Sequence, residues 1–229
     1  MTSRYAAPPA RAPKVPKVTA VVPVKDLDLA KSRLALPEHE RRALALAFAT
    51  DTLAALLGCP DVTTAVVITA DRDIAALATS QGAEVVPDHT AHLDAAIAEA
   101  VAHAARQTPE ATVLVTPSDL PCLRAADVTD VLRQAAGHRA AYVPDRSGTG
   151  TTMVVHAAGE PVVTGYGAGS AERHTSLGLY AVPAPIRARH DVDTLDDLRA
   201  AITLGLGSAT AGVVGELFAH GPLNAAPIA

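Results

Sequence analysis

Val18-Thr19-Ala20-Val21-Val22-Pro23-Val24-Lys25-Asp26-Leu27-Asp28-Leu29-Ala30-Lys31-Ser32-Arg33-Leu34 decides how this chain is read. Its first seven residues are apolar or β-branched almost without a break, the pattern of a strand buried on both faces. Such a strand belongs to a parallel sheet covered by helices, and in open parallel sheets ligands sit beyond the carboxyl ends of the strands. Three cations, Lys25, Lys31 and Arg33, follow the strand at once. Lysine supplies point charges and arginine a planar fork, both suited to phosphate oxygens. Charge alone leaves a solvated basic loop equally open. The loop is neither a Walker A sequence nor a Gly-x-Gly-x-x-Gly fingerprint.

Outward from this stretch, short β-branched runs alternate with longer helical segments. Pro37-Glu38 opens a helix that Gly58 stops, and Thr63 to Thr69 is a second strand. Asp71 caps a helix to about Ser80, and Gly82 turns the chain into the strand Glu84-Val85-Val86. A helix from about Thr90 places Leu93, Ile97 and Val101 on one face. Thr112 to Val115, Ala126 to Ala136 and Ala140 to Val143 read as strand, helix and strand. After Pro144 the rhythm changes: short strands at Thr151 to His156 and Leu179 to Val182 flank a glycine-rich loop. Helices near Thr194 to Leu204 and Ser208 to His220 close the chain. The reading is a single-domain α/β fold over residues 17–221, Rossmann-like, with a mainly parallel sheet covered by helices. Residues 1–16 read as a flexible Pro- and Ala-rich basic leader and 222–229 as a C-terminal tail.

Composition narrows the function classes. With 49% hydrophobic and 19% charged residues, the 229-residue chain has ample material for a core and too little charge for a mainly disordered one. A net charge of −5 gives no general basic footprint, so no nucleic-acid partner is expected. No apolar run approaches the roughly 20 residues that span a bilayer. Cys59 and Cys122 lie too far apart in sequence for a metal or redox motif, and read as small buried side chains of a reducing, cytoplasmic protein. The nine histidines show no His-Glu-x-x-His spacing, which disfavours a zinc enzyme.

Three further segments carry chemistry. Thr116-Pro117-Ser118-Asp119-Leu120-Pro121 fixes an acid between prolines at a strand's carboxyl end, suited to a divalent cation or to a turn. Asp145-Arg146-Ser147-Gly148-Thr149-Gly150-Thr151-Thr152 and Gly165-Tyr166-Gly167-Ala168-Gly169-Ser170-Ala171-Glu172-Arg173-His174 combine glycines with hydroxyls. Glycine lets backbone N–H groups approach an anion without Cβ interference. In His190-Asp191-Val192-Asp193-Thr194-Leu195-Asp196-Asp197-Leu198, Thr194 or Asp193 can cap a helix whose first turn holds Asp196 and Asp197. Asp191 and Asp193 precede the cap, and either is a candidate second carboxylate for a metal.

In their order and over most of the chain, these stretches resemble the guanylyltransferases of deazaflavin coenzyme F-420 biosynthesis, which join GTP to 2-phospho-L-lactate or to phosphoenolpyruvate. The resemblance rests on Pro-Val-Lys with Ala-Lys-Ser-Arg-Leu, Ser-Asp-Leu-Pro, Asp-Arg-x-Gly-x-Gly-Thr, Tyr-Gly-x-Gly-Ser-x-x-x-His and Asp-Val-Asp-Thr-x-x-Asp-Leu. It implies a nucleotidyltransferase fold related to the molybdenum-cofactor guanylyltransferases. It also implies Mg²⁺ held by Asp119 with Asp191 or Asp193, and nucleotide phosphates at Lys25, Lys31 and Arg33. The phosphorylated three-carbon acid is expected at Thr151, Gly167 and Ser170, and a downstream deazaflavin transferase is an expected partner. The Ala-rich, lysine-poor composition points to a GC-rich bacterial genome, where the resemblance implies phosphoenolpyruvate as the acid. Two positions depart from the family pattern: His92-Leu93-Asp94 stands for Gly-Leu-Asn, and Gly150-Thr151-Thr152 for Gly-Thr-Asn. Asp94 is therefore a candidate for altered nucleotide recognition, and Thr152 for a changed acid site.

Overall fold

A computed structural model describes residues 17–29, 31–90 and 92–220, so the leader and the tail lie outside the described residues. Seven strands form one sheet in the order β3-β2-β1-β4-β6-β5-β7. They are β1 (Val18–Pro23), β2 (Val62–Thr69), β3 (Glu84–Pro87), β4 (Thr112–Val115), β5 (Ala140–Pro144), β6 (Thr151–His156) and β7 (Tyr180–Ala181). The helices are α1 (Glu38–Leu57), α2 (Arg72–Ser80), α3 (Leu93–Gln107), α4 (Ala125–Ala135), α5 (Ser170–Ser176), α6 (Leu195–Leu204) and α7 (Ser208–His220). Parallel pairing holds for β1 with β2 and β4, for β2 with β3, and for β5 with β7. Only β6 runs against its neighbours, antiparallel to both β4 and β5.

Both faces of the sheet are covered, which is why β1 reads as a continuous apolar run. Its Val18, Ala20 and Val22 pack with Leu53 and Leu56 of α1 and Val128 and Leu132 of α4. Val21 points the other way, toward Ile97 and Ala100 of α3. A third cluster joins Leu34, at the end of the basic loop, to Phe48 of α1, Leu198 of α6 and Val214 of α7. Phe48 is fully buried there. Truncating such a ring costs about 3–5 kcal/mol, and here it would also loosen the footing of the basic loop. Cys59 and Cys122 are buried and free. Among the described residues no helix is long and apolar enough to cross a membrane.

The expected helices and strands are present within a few residues, with two differences. The glycine-rich segment contains α5, whose N-cap Gly169 adopts φ 72°. The last strand is shorter than expected, only Tyr180–Ala181, because it pairs along one edge and leaves Tyr180 exposed.

Candidate active site

Beyond the carboxyl ends of β1, β4 and β5 lies a cleft of about 630 Å³. The antiparallel strand β6 contributes to the same rim with its first residue, because Thr151 pairs with Pro144 at the end of β5. Lys25, Lys31 and Arg33, Asp119, Thr151, Gly167 and Ser170, and Asp191 and Asp193 all line this cleft. Four segments that are far apart in sequence are thus brought to one place. Asp94 does not reach it. It is exposed on the first turn of α3 and accepts a hydrogen bond from the Thr164 hydroxyl at 3.2 Å, while its neighbour Leu93 lines the wall.

The basic loop is held from behind. Asp71 caps α2 by accepting from the N–H groups of Asp73 and Ile74, and its second oxygen accepts from Leu27 N–H at 3.1 Å. Arg42 of α1 ties Asp71 to Asp28 and Asp73. Lys31 then turns inward with φ 56°, the left-handed region that non-glycine residues seldom occupy. Strain of this kind, about 1–3 kcal/mol, is characteristic of functional positions. Lys31 Nζ donates to Asp119 Oδ2 at 2.6 Å and to Asp193 Oδ1 at 2.9 Å. Burial alone would lower the lysine pKa, but the two carboxylates prevail and hold it above its ordinary value. Arg33 approaches the other Asp193 oxygen at 3.8 Å from an exposed position, and Lys25 is also exposed.

Asp191 and Asp193 reach Asp119 through the backbone. Val192 N–H donates to the Asp119 carbonyl at 3.1 Å, and the Val192 side chain is buried in the third cluster. Helix α6 begins only afterwards. Thr194 accepts from Asp197 N–H and Asp197 returns the bond, so this pair forms the cap, while the exposed Asp196 pairs with Arg199. The acid run is therefore divided: two acids serve the helix and two face the cleft.

The cleft carries a surplus of negative charge. Four carboxylates, those of Asp119, Asp145, Asp191 and Asp193, line it with three cations. Burial first, then the nearby Asp119 and Asp193, push the Asp191 carboxyl up to about 7. Asp119 Oδ1 is buried and has no hydrogen-bond partner among the described residues. Hard oxygen donors, an orphaned carboxylate oxygen and a carboxyl reluctant to ionise fit a divalent cation completed by substrate oxygens. No three His, Cys, Asp or Glu side chains among the described residues already stand together as a metal-binding group.

Thr151 and residues 166–170 form another part of the cleft's lining. Arg173 of α5 donates to the carbonyls of Gly165, Tyr166 and Ala168, which draws the loop's acceptors toward the helix. Gly167 has φ 108°, which a side chain would strain. Asp145 accepts from Thr149 N–H and the Ser147 hydroxyl, shaping the turn into β6. Thr152, one residue past the rim, is fully buried and donates to the Ala188 carbonyl at 2.7 Å. Alternation along a strand turns it away from the cleft, so the departure at this position changes the packing behind β6 and not the wall.

Residues 18–178 match the family described as "Guanylyl transferase CofC like". A phosphoenolpyruvate guanylyltransferase from Streptomyces coelicolor is 42% identical over 212 residues, covering 89% of this chain and 98% of the relative. One from Thermomonospora curvata is 41% identical over 206 residues, covering 88% and 90%. The chain belongs to the CofC-like guanylyl transferase family. Among solved structures, a putative nucleotide-diphospho-sugar transferase from Desulfovibrio desulfuricans superposes with TM-score 0.67 at 17% identity, covering 88% of this chain and 95% of that one. A nucleotidyl transferase from Methanothermobacter gives 0.58 at 16% identity, covering 82% and 97%. These two share the fold.

The stretch matched to the guanylyl transferase family contains the basic loop, Asp119 and both glycine-rich segments, while Asp191 and Asp193 lie beyond it. Sequence reasoning about this family member missed Arg42, and gave Asp145 and Arg173, quoted within their segments, no supporting role. An arginine four residues after Gly169 was the only local signal for the last of them. Which carbonyls an arginine reaches depends on the turn, and the turn is not written in residue type.

Proposed function

We propose that this chain transfers the guanylyl group of GTP to the phosphate of phosphoenolpyruvate, giving enolpyruvyl-diphospho-guanosine and pyrophosphate, with Mg²⁺ in the cleft. The observation that carries this is the cleft itself: Lys31 bridges Asp119 and Asp193 there, Arg33 stands beside Asp193, and Thr151, Gly167 and Ser170 line the same cleft. The relatives' names supply phosphoenolpyruvate and the guanylyl transfer.

A phosphate oxygen of phosphoenolpyruvate forms a bond to the α-phosphorus of GTP, and the bond from that phosphorus to the oxygen bridging to the β-phosphate breaks. Pyrophosphate carries away the electron pair. The nucleophile is already anionic at neutral pH, so the protein need not activate a serine, cysteine or histidine. Its task is to bring two anions together. Two unit like charges 4 Å apart repel by about 1 kcal/mol in water and about 4 kcal/mol at a protein-like effective dielectric of 20. Lys25, Lys31 and Arg33 neutralise and align the nucleotide phosphates, the last two from beside Asp193. Thr151, Gly167 and Ser170 orient the three-carbon acid. Asp119 with Asp191 or Asp193 would hold Mg²⁺, which when bound would offset phosphate charge as a Lewis acid. The activated product then passes to a deazaflavin transferase in the cytoplasm.

The test is pyrophosphate release with Mg²⁺, GTP and either phosphoenolpyruvate or 2-phospho-L-lactate, with the guanylylated product identified by mass spectrometry. Product with neither acid and any nucleoside triphosphate would reject the reaction. Turnover confined to 2-phospho-L-lactate would reject the substrate, and full turnover in chelator would reject the metal.

A further inference from the structure

A fully buried histidine stands directly behind the donor wall. His174, on α5, offers its two ring nitrogens to different partners: Gly165 N–H donates to Nε2 at 3.0 Å, and Nδ1 lies 2.9 Å from Thr151 Oγ1. A backbone N–H can only donate, so Nε2 is the bare, accepting nitrogen. Burial first, then Arg173 and His156, push the ring pKa down to about 4, against weaker opposing effects of Asp94 and a hydrogen bond to the Ser170 backbone. The imidazole is therefore neutral at pH 7, and a neutral ring with bare Nε2 carries its proton on Nδ1. The rings of Tyr142 and Tyr166 pack against it, but their hydroxyls are engaged with Thr175 and the Val115 carbonyl and do not compete for the nitrogens.

Thr151 Oγ1 cannot donate to a protonated Nδ1 and therefore accepts from it, sharing that proton with the Ser170 backbone. Its own hydroxyl proton has no acceptor among the described residues, and Thr151 lines the cleft. We propose that His174 is a positioning residue that fixes Thr151 as a hydrogen-bond donor toward an anionic oxygen of the acid substrate. In the opposite polarity, threonine donating to the ring, only lone pairs would face the cleft and would repel a carboxylate or phosphate oxygen. This assignment rests on the reading of the Thr151 wall as the acid site.

Long-range ¹⁵N–¹H correlation spectra of the full wild-type chain report the tautomer directly, whatever the protein catalyses. The expected result is a protonated Nδ1 and a bare Nε2; a protonated Nε2 overturns the proposal. The second measurement is kinetic. T151V and H174L should each raise KM for phosphoenolpyruvate about tenfold to a hundredfold, the usual effect of removing a donor to a charged group. KM for GTP should stay within about twofold. The T151V/H174L double variant should be no worse than T151V alone, and H174N, which keeps an N–H donor near the Nδ1 position, should recover most of the loss. Additive effects, or an H174L defect shared equally by both substrates, would mark the histidine as structural and overturn the relay. An unchanged KM in T151V, beside the expected tautomer, would instead remove the acid site on which the relay depends.

Discussion

Replacing Lys31 by methionine (K31M) retains the length and apolar stem of the side chain, and the same kind of left-handed backbone, while removing one charge. What it exposes is the repulsion that Lys31 now masks. Its ammonium lies 2.6 Å from Asp119 and 2.9 Å from Asp193, with side chains 9%, 19% and 46% exposed respectively. Removing one partner of a buried pair costs about 3–5 kcal/mol, whereas a surface pair contributes about 0–1 kcal/mol. The Asp119 contact belongs nearer the first class and the Asp193 contact nearer the second. Partial water access lowers the expectation to about 2–3 kcal/mol. For a chain of this size that is a fall in Tm of about 4–12 °C. The sign with pH follows from Lys31. Its folded pKa is held above the ordinary lysine value, so its contribution is fully present below that ordinary value and is lost only as pH rises through the folded one. Thermal denaturation of both proteins between pH 5 and 8 should therefore show a K31M deficit present across the whole range. An unchanged Tm at pH 8 would refute the charge-masking role.

D119N should keep an oxygen acceptor for Lys31, and hence the fold, while turnover falls below one hundredth of wild type; steady-state rates beside a circular-dichroism melt check both halves. Mg²⁺ binding should displace protons from the acid cluster, because a ligand carboxylate must be ionised and Asp191 titrates at about 7. Calorimetry near pH 6.5 in buffers of different ionisation enthalpy measures that release, and none at all would contradict the ligand set. G167A should raise KM for phosphoenolpyruvate severalfold, because φ 108° strains any side chain and the new Cβ would stand 3.4 Å from Arg173. KM for GTP should not follow it.

Much of the fold was legible because β1 to β5 and α1 to α4 obey local rules. A double-faced strand reads as an unbroken apolar run, Asp71 caps α2 as its position implied, and Gly58 follows α1. Helix α5 was not legible, since a seven-residue helix entered through two left-handed glycines is stabilised by Arg173 and the neighbouring loop rather than by its own periodicity. At the site, residue chemistry marked the cations and acids that line the cleft. It did not show that Lys31 pairs with two of those acids, nor that Asp94 faces away toward Thr164. Both depend on distances between segments as many as 162 residues apart in the chain.

The antiparallel strand explains how one sheet can present two unlike walls to a single cleft. Carboxyl ends of parallel strands deliver loops that return over the sheet, and here those after β1 and β4 bring Lys31 and Asp119. A further parallel strand would have put its own amino end on the far side of the sheet. Because β6 is reversed, its first residue arrives at the near rim: Thr151 sits opposite Pro144, and Val154 opposite Val115. A residue at a strand's first position has one neighbour fixed in the ladder, and Thr151 gains a second constraint from His174. The charged wall can adapt, since lysine and arginine side chains are long and Arg33 is exposed. The neutral wall cannot, because it is set by backbone register and a buried ring. Under the proposed function, discrimination between phosphorylated acids belongs to the β6 side, and nucleotide affinity to the β1 side. Substitutions at Thr151 or Gly167 should alter the choice of acid at nearly constant GTP affinity, and substitutions at Lys25 or Arg33 should do the reverse. A competition assay with the two acids, run alongside GTP titrations, separates these effects, and coupled changes in both would show that the walls do not act independently.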